Sequence, residues 1–347
     1  MRPPQRILLI GHSNVGDAVL ASPVVEALHQ RFPDAELTVM VGERAKIVYA
    51  HDGRIRHVVN LSAFGEGIGR VRMAWFVWRY RPDVLVDLRQ TILPLLWRPW
   101  RALRYFWPVP RDVRSMKHRH LWRMQRQLAS MFSGAGQYPG EAFRRDEARR
   151  HPTLWIAPKV EAELDRQLGR WRIDPSRPLV VMSTGGRNES RKWYPDRYAA
   201  VADRLIEELE VEVALTGEPS DAPIVDAMVE GMRHRAHNLV GLTSLAQLAA
   251  LMRRAALVIA QDSGGLQVAG ASGARILAVF GASDERKYGP TRDDDHVVRR
   301  RLFCTPCEQS LCRYNHECMR FISADEVFAV ARDMLKTAVS SRRSAVR

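Results

Sequence analysis

Short apolar runs recur along the chain, each followed by a turn and then by residues with helical spacing. Arg6 to Ile10 is the first. It is continuous, not alternating, and too short for a helix, so it predicts a strand buried on both faces. Gly11 to Asp17 reads as a turn and Ala18 to Arg31 as a helix that Pro33 ends. Leu37 to Val41 and Val84 to Leu88, the latter preceded by Pro82, predict two further strands of the same kind. Strand and helix in alternation imply βαβ units, hence a parallel sheet with helices on both faces.

Between Trp75 and Trp122 the pattern changes. Trp and Arg become frequent, and Pro94, Pro99, Pro108 and Pro110 interrupt any helix. Such a stretch suits an amphipathic surface that touches lipid, because both side chains sit well at an interface; core aromatic packing beside a basic exposed face is the more frequent cause of such a stretch. Gly134 to Pro158 is rich in Gly, Pro and charge, and a helix over Val160 to Trp171 follows. A second series then begins: strand Leu179 to Met182, helix Asp196 to Leu209, strand Val211 to Leu215, strand Leu257 to Ala260, a helix through Ala271 and strand Arg275 to Phe280. The halves repeat one architecture. The expected fold is α/β of GT-B type, two Rossmann-like domains facing each other across a cleft, with residues 1–158 and 159–347 as the domains.

The length of 347 residues suits two domains, and 46% apolar with 27% charged residues is a globular composition. No apolar run reaches the roughly 18 residues that would span a bilayer, and a strand-like run, not a signal-peptide core, follows Gln5. A cytoplasmic location is expected. The net charge of +14 asks for an anionic partner or surface. Zinc-finger spacing, RNP-type aromatics and leucine heptads are missing, so nucleic acid is not expected. Membrane phospholipid or a phosphorylated glycolipid fits the charge, as does a plain solvated basic surface.

Four turns after predicted strands carry the candidate chemistry, at the carboxyl ends where open α/β sheets bind ligands. The first, Gly11 to Asp17, includes Gly16 and sets Asp17 at a helix start, as a functional acid or as a simple N-cap. The second, Ser183-Thr184-Gly185-Gly186-Arg187, precedes Arg191 and Lys192 and offers backbone donors and then fixed charge to a diphosphate. In the third, Glu218 is placed to accept from a ribose or sugar hydroxyl, or is a surface carboxylate. The fourth, Asp262-Ser263-Gly264-Gly265-Leu266-Gln267, opens a helix whose N-terminus suits a phosphate, with Asp262 available to sugar hydroxyls.

The order of these pieces resembles glycosyltransferase family 9, the ADP-heptose:lipopolysaccharide heptosyltransferases. ILLIGHSNVGDAVLASP (Ile7 to Pro23) is similar to the family's N-terminal signature, and Arg191 to Pro195 to its K-R-W-P segment. DSGGLQVA (Asp262 to Ala269) is similar to its D-S/T-G-x-x-H-x-A segment, and FGASDERKYGP (Phe280 to Pro290) to its F-G-x-T/S-D-P…G-P stretch. The resemblance implies Asp17 as general base of an inverting transfer that needs no catalytic metal. It implies donor contacts from Asp262, Ser263, Gly264 and from Arg191 or Lys192, a match uncertain by one position because Trp193-Tyr194-Pro195 stands where the family has Trp-Pro. Gln267 stands where the family usually carries His. The implied partners are ADP-heptose or a related nucleotide sugar, bound by residues 159–347, and an anionic glycolipid acceptor, bound by residues 1–158 at the inner face of the inner membrane. Lys117, Arg119 and His120 are candidates for the acceptor. A nucleotide-sugar epimerase or hydrolase on the same frame, or a non-catalytic basic surface binder, are the alternatives.

All four cysteines lie within one stretch, Cys304, Cys307, Cys312 and Cys318. A C-x₂-C knuckle with two further thiols can wrap a structural zinc or iron, with Arg301, Arg313 and Arg320 offsetting the charge and His316 as an alternative ligand. Reduced buried thiols or disulfides between close pairs are the other readings.

Overall fold

In a computed structural model, residues 3–65, 68–94, 108–132 and 151–345 are described. The chain divides into two compact units, residues 1–155 and 156–347. Among the described residues the first unit runs β1 (Arg6–Ile10), α1 (Val15–Leu20), α2 (Ser22–Arg31), β2 (Glu36–Val41), α3 (Lys46–Tyr49), β3 (His57–Asn60), α4 (Gly69–Tyr80), β4 (Val84–Asp87) and α5 (Met116–Phe132). Its sheet has the order β3-β2-β1-β4, with every pair parallel.

The single helix expected over Ala18 to Arg31 is two, and the first begins at Val15. Pro23 is the reason: it has no N–H to give the Val19 carbonyl, so the ladder breaks beside Ala21 and restarts. Ile7 to Ile10 and all of β4 are buried, as continuous apolar runs in a parallel sheet should be. Leu8, Ile10, Met40 and Leu85 form a core layer that α4 covers with Met73, Ala74, Phe76, Val77 and Tyr80. On α5, the Gln127 side chain pairs with both backbone groups of Asp87, at 2.8 Å each, and so fixes this helix on the end of β4. Trp75 and Trp78 stand exposed on α4; Trp97, Trp100 and Trp107, and Pro99, lie outside the described residues.

The second unit runs α6 (Pro158–Trp171), β5 (Leu179–Ser183), α7 (Pro195–Leu209), β6 (Glu212–Thr216), α8 (Ala222–Gly231), β7 (His237–Asn238), α9 (Leu245–Arg254), β8 (Leu257–Gln261), α10 (Gly264–Ser272), β9 (Ile276–Phe280), α11 (Glu285–Tyr288), β10 (His296–Arg299), α12 (Glu317–Arg320) and α13 (Ala324–Ala345). The strand order is β7-β6-β5-β8-β9-β10, all parallel. In chain order this is third, second, first, fourth, fifth, sixth, the dinucleotide-binding order. The first sheet repeats its first four places. Both sheets therefore reverse direction of travel at one point, between β1 and β4 and between β5 and β8. At that point neighbouring connections leave to opposite faces and open a crevice beyond the strand ends.

Candidate active site

In the first unit the crevice lies beyond Ile10 and Asp87, which are register partners. Gly11 is required there, because a Cβ would stand 2.9 Å from Val41 Cγ1; a Cβ on Gly42 would stand 2.5 Å from Ser13 Cβ. The chain can thus cross closely over the end of β2 into α1. Asn14, not Asp17, is the N-cap of α1, and its side-chain amide donates to Asp17 Oδ2 at 3.2 Å. Asp17 sits in the first helical turn, half-buried, directly after Gly16.

Asp87 organises the opposite wall. Its carboxylate accepts from Arg89 N–H (2.9 Å), Thr91 N–H (2.6 Å) and Thr91 Oγ1 (2.8 Å), which turns the chain through left-handed Gln90. Burial raises the Asp87 pKa against these bonds. Exposed Arg89 reaches back to Ser13 Oγ at 3.1 Å, and Arg123 of α5 donates to the Leu88 carbonyl at 3.1 Å. Of the expected acceptor residues, Lys117 and His120 are 1% and 0% exposed, and Arg119 donates to the Val113 carbonyl at 3.2 Å. Burial lowers the Lys117 pKa to about 8. His120 packs on His12, which sequence reasoning passed over, with ring centroids 4.7 Å apart. Burial lowers both imidazole pKa values; for His12 the Asp17 charge opposes the shift, and Arg123 and Arg89 reinforce it. Both rings are therefore neutral near pH 7. Lys117 and His120 shape this wall from beneath, and the exposed cation is Arg89.

In the second unit the crevice lies beyond Ser183 and Ala260, again register partners. Gln261 bolts three segments together from a side chain 1% exposed. Its Oε1 accepts from Trp193 N–H at 2.6 Å, and its Nε2 donates to the carbonyls of Thr184 (2.6 Å) and Gly185 (3.3 Å). Trp193 is anchored in turn through Nε1 to the Ile322 carbonyl at 3.1 Å. The glycines follow from crowding: a Cβ on Gly185 would meet Asp221 Oδ2 at 2.1 Å, and one on Gly265 would meet Ser183 Oγ at 2.0 Å. Asp221 also accepts from the Glu218 N–H at 2.8 Å, while Glu218 itself is exposed at the carboxyl end of β6.

Ser263 is the N-cap of α10, but its hydroxyl makes no capping bond. Ser263 Oγ, Thr184 Oγ1, Ser283 Oγ and Arg191 Nε are buried polar atoms without hydrogen-bond partners among the described residues. They follow β8, β5, β9 and the second turn, and leave a set of groups suited to an oxygen-rich ligand beside a helix N-terminus with Gly264 in its first turn. Arg191 Nη1 is paired with buried Asp262 Oδ2 at 2.9 Å, and its guanidinium lies 5.9 Å from the Tyr288 ring centroid. Gln267 donates to the Tyr288 carbonyl at 2.7 Å, so the residue in the family's His position holds the chain that carries Tyr288. Lys192 is half-buried and paired with Glu189.

Of the three readings of the Cys-rich segment, the geometry agrees with free thiols. Cys304, Cys307, Cys312 and Cys318 are free, and among the described residues no three His, Cys, Asp or Glu side chains are placed to hold a metal ion. Glu308, Asn315 and His316 adopt left-handed backbone, and Cys312 Sγ accepts from Tyr314 and His316 N–H, each at 3.3 Å. Burial, then the nearby Cys312, Cys307 and Cys304, raise the Cys318 thiol to about 11, so it stays protonated. The sulfurs share a neighbourhood without forming a ligand set. The segment covers the loops that follow β5 and β9: Ser190 Oγ donates to the Gln309 carbonyl (2.6 Å), Glu308 N–H to the Ala282 carbonyl (2.8 Å), and Lys287 pairs with Glu308 at 2.6 Å.

Comparison with known proteins is consistent with this arrangement. The lipooligosaccharide heptosyltransferase 2 of Haemophilus influenzae is 24% identical over 320 residues, covering 84% of this chain and 88% of that protein. A family 9 glycosyl transferase from Veillonella parvula superposes with a TM-score of 0.72 at 19% identity, covering 96% of this chain and 97% of that one. The ADP-heptose lps heptosyltransferase II of E. coli gives 0.71 at 18%, covering 96% and 99%. The fold is thus of GT-B type, with two Rossmann-like units. The sequence profile of glycosyltransferase family 9 (heptosyltransferase) matches residues 104–317, more than half of the chain, and the protein belongs to that family of glycosyltransferases.

Proposed function

We propose that this enzyme transfers heptose from ADP-heptose to an anionic lipopolysaccharide core acceptor with inversion at the anomeric carbon. The observation that carries the reading is the unpartnered set Thr184 Oγ1, Ser263 Oγ, Ser283 Oγ and Arg191 Nε beside the α10 N-terminus, in a member of family 9. The E. coli and H. influenzae relatives, named as heptosyltransferases, support the same donor and acceptor classes.

In this reading residues 156–347 bind the donor. The α10 N-terminus, with Ser263 and Gly264, and the β5 turn, Ser183 to Gly185, take the diphosphate; Arg191 and Lys192 supply charge; Glu218 accepts from ribose, and Asp262 from the sugar. Residues 1–155 bind the acceptor beside Gly16, with Arg89 as exposed cation and Lys117, Arg119 and His120 behind it. The Asp17 carboxylate takes the proton of an acceptor hydroxyl as that oxygen bonds to the anomeric carbon. The carbon–oxygen bond to the diphosphate breaks, and ADP leaves with the electron pair, stabilised by helix N–H groups and Arg191/Lys192. General-base assistance contributes about 10² to 10⁴-fold. The step as written uses no metal. Among the described residues no helix is long and apolar enough to cross a membrane. We place the enzyme in the cytoplasm, peripheral to the inner face of the inner membrane, where a lipid-anchored acceptor is made.

Incubation with ADP-heptose, with and without delipidated core acceptor, tests the function. Acceptor-dependent transfer is expected. Acceptor-independent release of sugar would make the enzyme a hydrolase, and absence of both would overturn the donor assignment.

A further inference from the structure

Helix α4 is apolar on two opposite faces, and only one of them is covered. At 3.6 residues per turn, Met73, Phe76, Val77 and Tyr80 share the face packed on Leu8, Ile10, Met40 and Leu85. Ile68, Val71, Trp75 and Trp78 recur at three- and four-residue spacing on the other side, where a solvated helix would be polar. They are 76%, 68%, 60% and 66% exposed. Arg72 and Arg79 border this stripe on one flank and Arg70 on the other, all exposed, with exposed Arg81 at the left-handed C-cap. From Ile68 to Pro82 there is no acidic residue.

Two indole rings among aliphatic side chains, edged by guanidinium groups, match the layered polarity of a bilayer surface. Indole settles at headgroup depth, the aliphatic side chains enter the acyl boundary, and arginine meets lipid phosphate. A protein partner could cover apolar area equally well, but four arginines without one carboxylate select an anionic and extended partner. We propose that the outward face of α4 is a docking surface for anionic phospholipid, with Trp75 and Trp78 inserted and Arg70, Arg72, Arg79 and Arg81 against the headgroups. This deepens the peripheral-membrane reading above and rests on it. The surface brings the acceptor-binding unit to the plane in which a lipid-anchored acceptor lies.

The test sediments the full chain with vesicles of phosphatidylcholine alone and of phosphatidylcholine mixed with phosphatidylglycerol. The chain is expected to bind the mixed vesicles and to release in high salt. Trp75→Ser with Trp78→Ser should lower partition by at least about tenfold, the scale of one large apolar side chain. Arg70→Gln, Arg72→Gln and Arg79→Gln together should lower it by roughly a hundredfold, about fivefold for each charge. Transfer to soluble, delipidated acceptor should be unchanged in both variants, and transfer to acceptor in mixed vesicles reduced. The arginine variant alters exposed side chains only and decides the matter if the tryptophan variant misfolds. Variants that partition like the wild type would remove the surface from α4 and leave the membrane reading standing. A wild-type chain that binds neither vesicle would overturn both. Self-association lost in the tryptophan variant, with vesicle binding intact, would make the face a contact between two copies and overturn the proposal.

Discussion

Replacing Gln261 by Leu should damage the second unit more than any surface change near the candidate site. Leu keeps most of the volume, but it strands the Trp193 N–H and the Thr184 carbonyl, which now meet Gln261 at 2.6 Å each. Both belong to residues 2% or less exposed, so water cannot replace the lost partners without opening the structure. A buried polar group left unpaired costs about 1–3 kcal/mol, so the two together cost about 2–6 kcal/mol. The Gly185 contact, at 3.3 Å, is long enough to leave out. For a unit of this size each kcal/mol moves the melting midpoint by about 2–4 °C, which gives a drop centred near ~10 °C. Differential scanning calorimetry of the full chain measures it, and ADP affinity should fall in parallel because the β5 turn loses its anchor. A midpoint within about 2 °C of wild type would show that Gln261 is not the bolt described.

Asp17→Asn is expected to keep the melting midpoint and ADP affinity while lowering transfer by at least about a hundredfold; normal turnover would remove Asp17 from the base role. Arg191→Ala and Lys192→Ala should each weaken ADP binding in calorimetry, and Arg191→Ala more so, because it also leaves buried Asp262 without its cation; unchanged binding in the double variant would refute the diphosphate placement. Burial depresses the folded-state pKa values of His12 and His120 below the unfolded value, so the unfolded chain binds more protons as pH falls below about 6.5. The first unit should therefore lose stability on acidification below that point, and His120→Leu should lose part of this acid sensitivity; midpoints measured at successive pH values check it. Elemental analysis of protein purified without metal-affinity resin should return well under one equivalent of zinc plus iron, and a full equivalent would restore a ligand set to Cys304, Cys307, Cys312 and Cys318.

The central strands were legible because a strand buried on both faces has to be a short apolar run, as Leu179 to Met182 and Leu257 to Ala260 show. Three of the edge strands among the described residues escaped that pattern, whereas β4, also at an edge, did not. His57–Asn60 and His296–Arg299 are short and half polar, His237–Asn238 is two polar residues, and only their neighbours in the sheet make them strands. Candidate site residues were legible where backbone geometry restricts composition, as in the glycines of the β5 and α10 turns. Gln261 was not, since its partners Trp193, Thr184 and Gly185 lie far away in the chain, nor was the crowding of Gly185 by Asp221. His12 stood inside a recognised turn, yet its importance comes from His120 on α5, and no local spacing reports that pairing. The Trp-rich stretch was ambiguous for a related reason: exposure of Trp75 and Trp78 depends on which face of α4 meets the sheet. Met73, Phe76, Val77 and Tyr80 compete for that face and take it.

The Cys-rich segment gives the loops after β5 and β9 a chemical handle. Cys304, Cys307 and Cys312 are half-exposed, and Phe303 and Leu311 beside them are 83% and 85% exposed. A mild electrophile with an apolar body thus finds both a nucleophile and a place to rest. Its adduct would crowd a segment that holds Ser190, Lys287 and Ala282 in position. Covalent modification would then reach the turns proposed to hold the diphosphate from behind, without requiring the reagent to carry phosphate charge.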